Sequence, residues 1–128
     1  MAAEQGYSQG QNLMGQALEK GWGVPVDMVA ACALYAEAAR KGHDGAQRRL
    51  ADFYWRGWGG LPVDHALAAV WYERAAAEGE PAALFMLGRM YMDGDSVPRD
   101  LTRALELLLQ SAKLWGARYR VVRCSDDE

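Results

Sequence analysis

Histidine and cysteine are scarce in this 128-residue chain, which contains two of each. The cysteines, Cys32 and Cys124, have no second cysteine at close spacing, which argues against a disulfide framework or a cysteine-based zinc site. Free thiols are typical of a reducing compartment. The histidines, His43 and His65, have no ligand partner at a repeated metal-binding spacing, so we expect both to be solvated turn residues.

Recognisable catalytic motifs are also missing. The sequence contains no phosphate-binding loop, nucleophile elbow or dinucleotide fingerprint, and its glycines are spread at a regular period instead. We therefore predict that the chain is not an enzyme and binds neither a cofactor nor a metal.

No apolar run approaches the roughly 20 residues that span a bilayer. The first ten residues, MAAEQGYSQG, lack the basic start and apolar stretch of a signal peptide. As written, the chain is expected in the cytoplasm, with its location left open if it is a fragment of a longer secreted protein. The net charge of −3 gives no electrostatic reason to attract nucleic acid or an anionic membrane.

The sequence does contain a pattern that recurs every 36 or 37 residues. One block begins at Asp27, Asp64 and Asp100, each followed by a stripe at i, i+3, i+4, i+7 and i+8 that is apolar throughout except for Ser111 in the weaker third copy. This spacing is typical of a helix packed on one face, with the aspartate as its N-cap. A second helical block precedes each of these. Two blocks per unit predict an all-α fold, an α/α superhelix of about three antiparallel helix-turn-helix repeats.

The period also predicts the boundaries of the units. We expect one domain over residues 1–116, with repeats at about 7–42, 43–79 and 80–116. Residues 1–6 match the end of a second helix and are interpreted as the tail of a preceding unit, and residues 117–128 as a C-terminal cap or loose tail. The expected helices lie near residues 8–20, 27–41, 44–56, 64–78, 81–93 and 100–114. Trp71 and Tyr72 fall on the apolar stripe and are expected to be largely buried.

The repeated string L-G-x-x-Y-x-x-G, a G-V-x-x-D loop and A-x-x-W-Y-x-x-A-A-x-x-G resemble the Sel-one-like repeat family, which is related to the tetratricopeptide repeats. The match is fullest over residues 50–79, whereas the third unit has Leu107 and Leu108 in place of the aromatic pair. The resemblance implies a right-handed superhelix of helix pairs that acts as an adaptor for other proteins. It predicts a protein–protein interaction scaffold whose partner binds the concave groove or the adjoining loop edge.

The first helix of each unit is expected to line that groove. If Met14, Leu50 and Leu87 point inward, a second stripe on each first helix faces the groove. The three stripes consist of Leu13, Gln16, Lys20, Arg49, Asp52, Arg56, Met86, Arg89 and Asp93.

Two tryptophans, Trp22 and Trp58, follow equivalent glycines where the family pattern is usually polar. They either form a ridge beside the partner site or fold back on their own helix pairs, and the sequence leaves both interpretations open.

Two other functions are alternatives to the scaffold. The chain could be a nucleic-acid-binding helical repeat, since Arg48, Arg49 and Arg56 form a local basic patch, although Asp52 lies among them. It could also be a non-catalytic regulatory subunit of an enzyme complex. Because both ends of the array lack clear caps, we further expect weak self-association through the ends, mainly the N-terminal one.

Overall fold

Six α-helices follow one another in the order that the repeat predicts. The computed structural model describes the backbone of residues 2–124 and the side chains of residues 7–116. The helices are α1 (Ala2–Lys20), α2 (Met28–Arg40), α3 (Asp44–Arg56), α4 (His65–Ala77), α5 (Pro81–Asp93) and α6 (Leu101–Cys124). No strand occurs between residues 2 and 124, and the prediction of an all-α repeat solenoid is confirmed.

Each helix packs mainly against its neighbours in sequence, so the pairs α1–α2, α3–α4 and α5–α6 stack into an array. Two clusters of buried side chains form the core, one centred on α2 and α3 and the other on α4 and α5. Tyr72 is fully buried, as predicted. Trp71 is only partly buried, although it packs against both clusters.

The second helices begin as the aspartates predict. The carboxylates of Asp27 and Asp64 each accept a hydrogen bond from the backbone N–H three residues ahead, at 3.0 Å. Asp100 does the same at 3.1 Å. These bonds satisfy N–H groups that have no partner within the helix, and the negative charge favours the positive end of the helix dipole.

Small residues are required where the two helices of a unit cross. A Cβ atom at Gly15 would lie 2.8 Å from the ring of Tyr35, which is fully buried. The equivalent positions hold Ala51 and Gly88. Glycine has a second role at Gly57, which ends α3 at φ = 71°, a left-handed conformation that glycine adopts without a steric penalty.

The first and the last helix of the array both extend beyond the predicted bounds. Helix α1 begins at Ala2, so residues 2–6 continue into the first helix instead of ending an earlier one. The interior helices α3 and α5 have His43 and Glu80 as their N-cap residues, and these side chains accept the capping hydrogen bonds. Tyr7 occupies the equivalent position and has no carboxylate or imidazole to act as such a cap, so nothing separates the two segments.

The last helix is likewise longer than predicted. It continues through Cys124, so residues 117–124 are neither a separate cap nor a loose tail. Residues 117–124 contain no Ser, Thr, Asp or Asn that could cap a new helix, and α6 therefore continues through them. Residues 125–128, part of the predicted tail, lie outside the described residues. Within the described part of the chain, no helix is both long enough and apolar enough to cross a membrane.

Candidate partner-binding face

The nine predicted stripe residues lie along α1, α3 and α5, and we call this side of the stack the first-helix face. Five of them are exposed, namely Leu13, Lys20, Arg56, Arg89 and Asp93. Four are partly buried, namely Gln16, Arg49, Asp52 and Met86.

The stripes were defined relative to a core position held by Met14, Leu50 and Leu87, and this position is not buried in all three units. Leu50 and Leu87 are 3% and 2% exposed, whereas Met14 is 52% exposed. The premise that Met14 points into the core therefore does not hold. Leu50 packs in the cluster formed with α2, and Leu87 in the cluster formed with α4. Among the described residues, no helix precedes α1 to cover Met14.

Arg49 belongs to a polar network that joins α3 to α1. Its guanidinium lies 3.7 Å from Glu19 Oε1, and the same oxygen accepts a hydrogen bond of 2.7 Å from the hydroxyl of Tyr35. Burial, reinforced by the carboxylate of Glu19, raises the pKa of Tyr35 well above its usual value. The hydroxyl therefore remains a donor at all physiological pH values.

Asp52 belongs to a second network, which joins α3 to α4 and α5. It accepts a hydrogen bond from the buried hydroxyl of Tyr72 and pairs with Arg48 at 3.1 Å. Arg48 also lies 3.7 Å from Glu80, the N-cap residue of α5. Burial, followed by Asp52, raises the pKa of Tyr72. Burial alone would lower the pKa of Arg48, but the two carboxylates outweigh it and raise it.

The sequence did not reveal these networks. Tyr35 and Tyr72 are equivalent positions, but their carboxylate partners, Glu19 and Asp52, are not. Because each unit provides its acceptor from a different turn of the first helix, no repeated polar spacing marks the bond. Arg49 and Asp52 thus have partners within the chain, and their contacts connect α3 to α1 and to α4.

Of the four exposed charged residues in the three stripes, three are positive, namely Lys20, Arg56 and Arg89. Among the described residues, no carboxylate lies within ion-pair distance of Arg56 or Arg89. Arg89 instead lies over the ring of Phe85 at 5.8 Å, and Arg56 over Trp58 at 4.9 Å. Phe85 is 44% exposed and was not among the predicted site residues. It could have been identified from the repeat alignment, because Phe85 occupies the position of the polar Arg48 in the preceding unit.

The two loop tryptophans occupy different environments. Trp22 is 55% exposed. Trp58 is partly buried, with its ring edge-to-face on Phe53 at 5.6 Å, so it folds back on its own helix pair. They do not form an exposed ridge together. A role for either ring in partner binding stays a prediction.

Both histidines have structural contacts, so the expectation of solvated turn residues is wrong. His43 caps α3 by accepting a hydrogen bond from the backbone N–H of Ala46 at 3.1 Å. His65 stacks on Trp55 at 3.7 Å between ring centroids, and its Nδ1 lies 3.1 Å from Asp95. This contact reaches from the second unit to the third. Over residues 7–116, no group of three or more His, Cys, Asp or Glu side chains is arranged to hold a metal ion.

Three stacked helix pairs with a core shared between successive pairs define an α-helical repeat protein. A family model described as the Sel1 repeat matches residues 8–43, 45–80 and 81–114, which is most of the chain. The chain belongs to the Sel1 repeat family. Members of this family are generally non-catalytic scaffolds for protein–protein interactions.

Solved structures show the same fold. A protective antigen present in uropathogenic Escherichia coli strains, which displays an SLR fold, is 36% identical with a TM-score of 0.80. The match covers 88% of this chain and 24% of the antigen. A Sel1 repeat protein from Oxalobacter formigenes is 28% identical with a TM-score of 0.78, over 83% of this chain and 43% of that protein. The chain therefore spans less than half the length of either. A search of curated proteins found no match.

Proposed function

We propose that this chain is a protein-interaction scaffold whose partner lies across α3 and α5 on the first-helix face. The proposal rests on two exposed arginines, Arg56 and Arg89, which form no ion pair with a described carboxylate. Phe85 is exposed beside Arg89. Arginine and aromatic side chains are enriched among the residues that contribute most to binding at protein interfaces.

The rest of the face supports this role by keeping these groups in place. The networks around Arg49 and Asp52 fix the spacing of α1, α3 and α5 before any partner arrives. A surface that is ordered before binding loses less conformational entropy when it binds. In this proposal Arg49 and Asp52 position the face, whereas Arg56, Phe85 and Arg89 contact the partner.

The charge of the face indicates the chemistry of the partner. Lys20 and Arg56 occupy the last turns of α1 and α3, and Asp93 the corresponding place on α5. A partner segment with acidic side chains over α3 and an apolar side chain against Phe85 complements this arrangement. The acidic groups would speed association, and that effect would weaken as salt screens the charges.

The proposal is tested by capture from an extract of the organism that makes the protein, with the purified chain as bait. The test variants are Arg56→Glu and Arg89→Glu. The matched control is Arg40→Glu, the same charge reversal at an exposed position on α2. We expect the wild type and the control to retain the same protein and each test variant to lose it. Equal capture by all four proteins, or capture that disappears after nuclease treatment, would contradict the proposal.

A further inference from the structure

The two ends of the stack expose opposite halves of the interface that joins units inside it. At the N-terminal end, Tyr7 is 61% and Met14 52% exposed, and both line a groove with Gly10 and Leu34. In the second unit, Leu50 and Trp71 are the equivalents of Met14 and Leu34, and both pack against the cluster around α2. The groove on α1 and α2 is therefore shaped for a second helix of the same kind as α2.

At the C-terminal end, α6 is a second helix with an exposed apolar face. Leu105 is 58% exposed, whereas its equivalents Cys32 and Ala69 are 7% and 5% exposed. Inside the stack this position is covered by the next unit. A Cβ atom at Gly59, which follows α3, would lie 2.7 Å from Cβ of Cys32 and 3.0 Å from the ring of Phe53.

The side-chain volumes at the two ends complement each other. Each interior joint has a small residue on the second helix and a large one on the next first helix in the same core cluster; these are Cys32 and Phe53 in one cluster, and Ala69 and Met90 in the other. At the ends the sizes are exchanged. Leu105 is the large residue on α6, and Ala17 is the small one on α1. A swap that conserves total volume is the kind of change that packed interfaces tolerate best.

A second pair of equivalent positions shows the same match. Arg49 pairs with Glu19 at the first joint, and the apolar residues Met86 and Trp55 replace them at the second, where both pack against one core cluster. The first unit has Leu13 on α1 at the position of Arg49 and Met86. The third unit has Met92 on α5 at the position of Glu19 and Trp55. Leu13 and Met92 are apolar and exposed, at 52% and 40%. If α5 of one copy meets α1 of another, Leu13 and Met92 can form an apolar contact equivalent to that of Met86 and Trp55.

We propose that copies of this chain associate head to tail, with α6 of one copy on the α1–α2 groove of the next. The contact reproduces the joint between units and buries Leu105 and Met92 of one copy against Ala17, Met14 and Leu13 of the other. Because the two surfaces differ, one copy can bind a partner at each end, and association continues into an open chain of copies. The inference does not depend on the proposed partner site, which uses Arg56 and Arg89.

The first test is the mass distribution of the wild type by sedimentation equilibrium over the micromolar to millimolar range. We expect the average mass to rise continuously with concentration. A monomer at every concentration, or a rise that stops at the dimer, would overturn the proposal.

The second test uses one variant for each end and a matched control for each variant. Met14→Glu and Leu105→Glu place a carboxylate in the contact, which should weaken association at least about tenfold. The controls are Val29→Glu and Leu109→Glu, at apolar positions that are 64% and 61% exposed. Their equivalents in the second unit, Ala66 and Glu73, are exposed inside the stack, so the controls should associate like the wild type.

Mixing the two test variants identifies the geometry. Met14→Glu retains the α6 surface and Leu105→Glu retains the groove, so an equimolar mixture should form a one-to-one dimer that cannot extend. A mixture that remains monomeric, with helix content by circular dichroism equal to that of the wild type, would overturn the head-to-tail arrangement. Controls that lose association as strongly as the test variants would also overturn it.

Discussion

Replacing Tyr72 by phenylalanine removes one hydroxyl group from the centre of the stack and leaves the ring in place. That hydroxyl is buried and donates to Asp52, which is also paired with Arg48. A hydrogen bond to a charged group contributes about 1.5–3 kcal/mol to stability. The Asp52 side chain is 24% exposed, so water can reach the oxygen that loses its donor. We therefore expect a loss at or slightly below the lower end of that range, about 1–2 kcal/mol.

The assay is urea unfolding of Tyr72→Phe, with Tyr7→Phe as control because Tyr7 is 61% exposed. The midpoint should fall for Tyr72→Phe with an unchanged slope, and the control should stay within about 0.5 kcal/mol of the wild type. A double-mutant cycle with Asp52→Ala, which removes the acceptor oxygens, isolates the bond and should give a coupling energy of about 1 kcal/mol. Additive effects of the two substitutions would contradict this prediction, because the hydroxyl and the carboxylate would then not interact.

Three further predictions follow from the burial of aromatic residues. Burial and a neighbouring carboxylate raise the pKa of Tyr35 and Tyr72, so these hydroxyls keep their protons in the fold while the unfolded chain ionises near about pH 10. The unfolded state then binds fewer protons, and stability should fall above about pH 10 by up to about 1.4 kcal/mol per pH unit for each tyrosine; a flat profile in alkaline urea titrations would contradict this. Trp58→Ala should destabilise the fold by about 2–4 kcal/mol and Trp22→Ala by less than about 0.5 kcal/mol, and thermal melts that shift equally would exclude the difference in packing. Trp71→Ala should lower the unfolding free energy by about 2–3 kcal/mol, less than the 3–5 kcal/mol range for a fully buried aromatic, because its ring is only partly buried; a loss above about 4 kcal/mol would show that the ring has a larger share in the core.

The interior of the fold could be predicted from the sequence because it is set by local signals. The capping aspartates and the apolar spacing determine where α2 and α4 begin, and they require no knowledge of distant contacts. The ends could not be predicted by the same rule. Met14 has the residue type of a core position, but its burial depends on a helix that no described residue provides.

The polar part of the candidate site was less predictable than the apolar part. The sequence predicted where the first helices lie, but it did not distinguish exposed from internally paired charges. Arg49 and Arg56 look alike in the sequence, and only the position of Glu19 on a neighbouring helix separates their roles. The cytoplasmic location and the identity of the partner-binding residues stay predictions.

The proposed scaffold function requires that a partner protein contacts the first-helix face over α3 and α5. Site-specific photo-crosslinking in living cells tests it most directly, with the crosslinking amino acid at position 85 and, as control, at position 29. Phe85 and Val29 are both exposed, but they lie on a first and a second helix respectively. We expect an adduct with another protein from position 85 and none from position 29. An adduct from position 29 alone, or equal adducts from both positions, would contradict it.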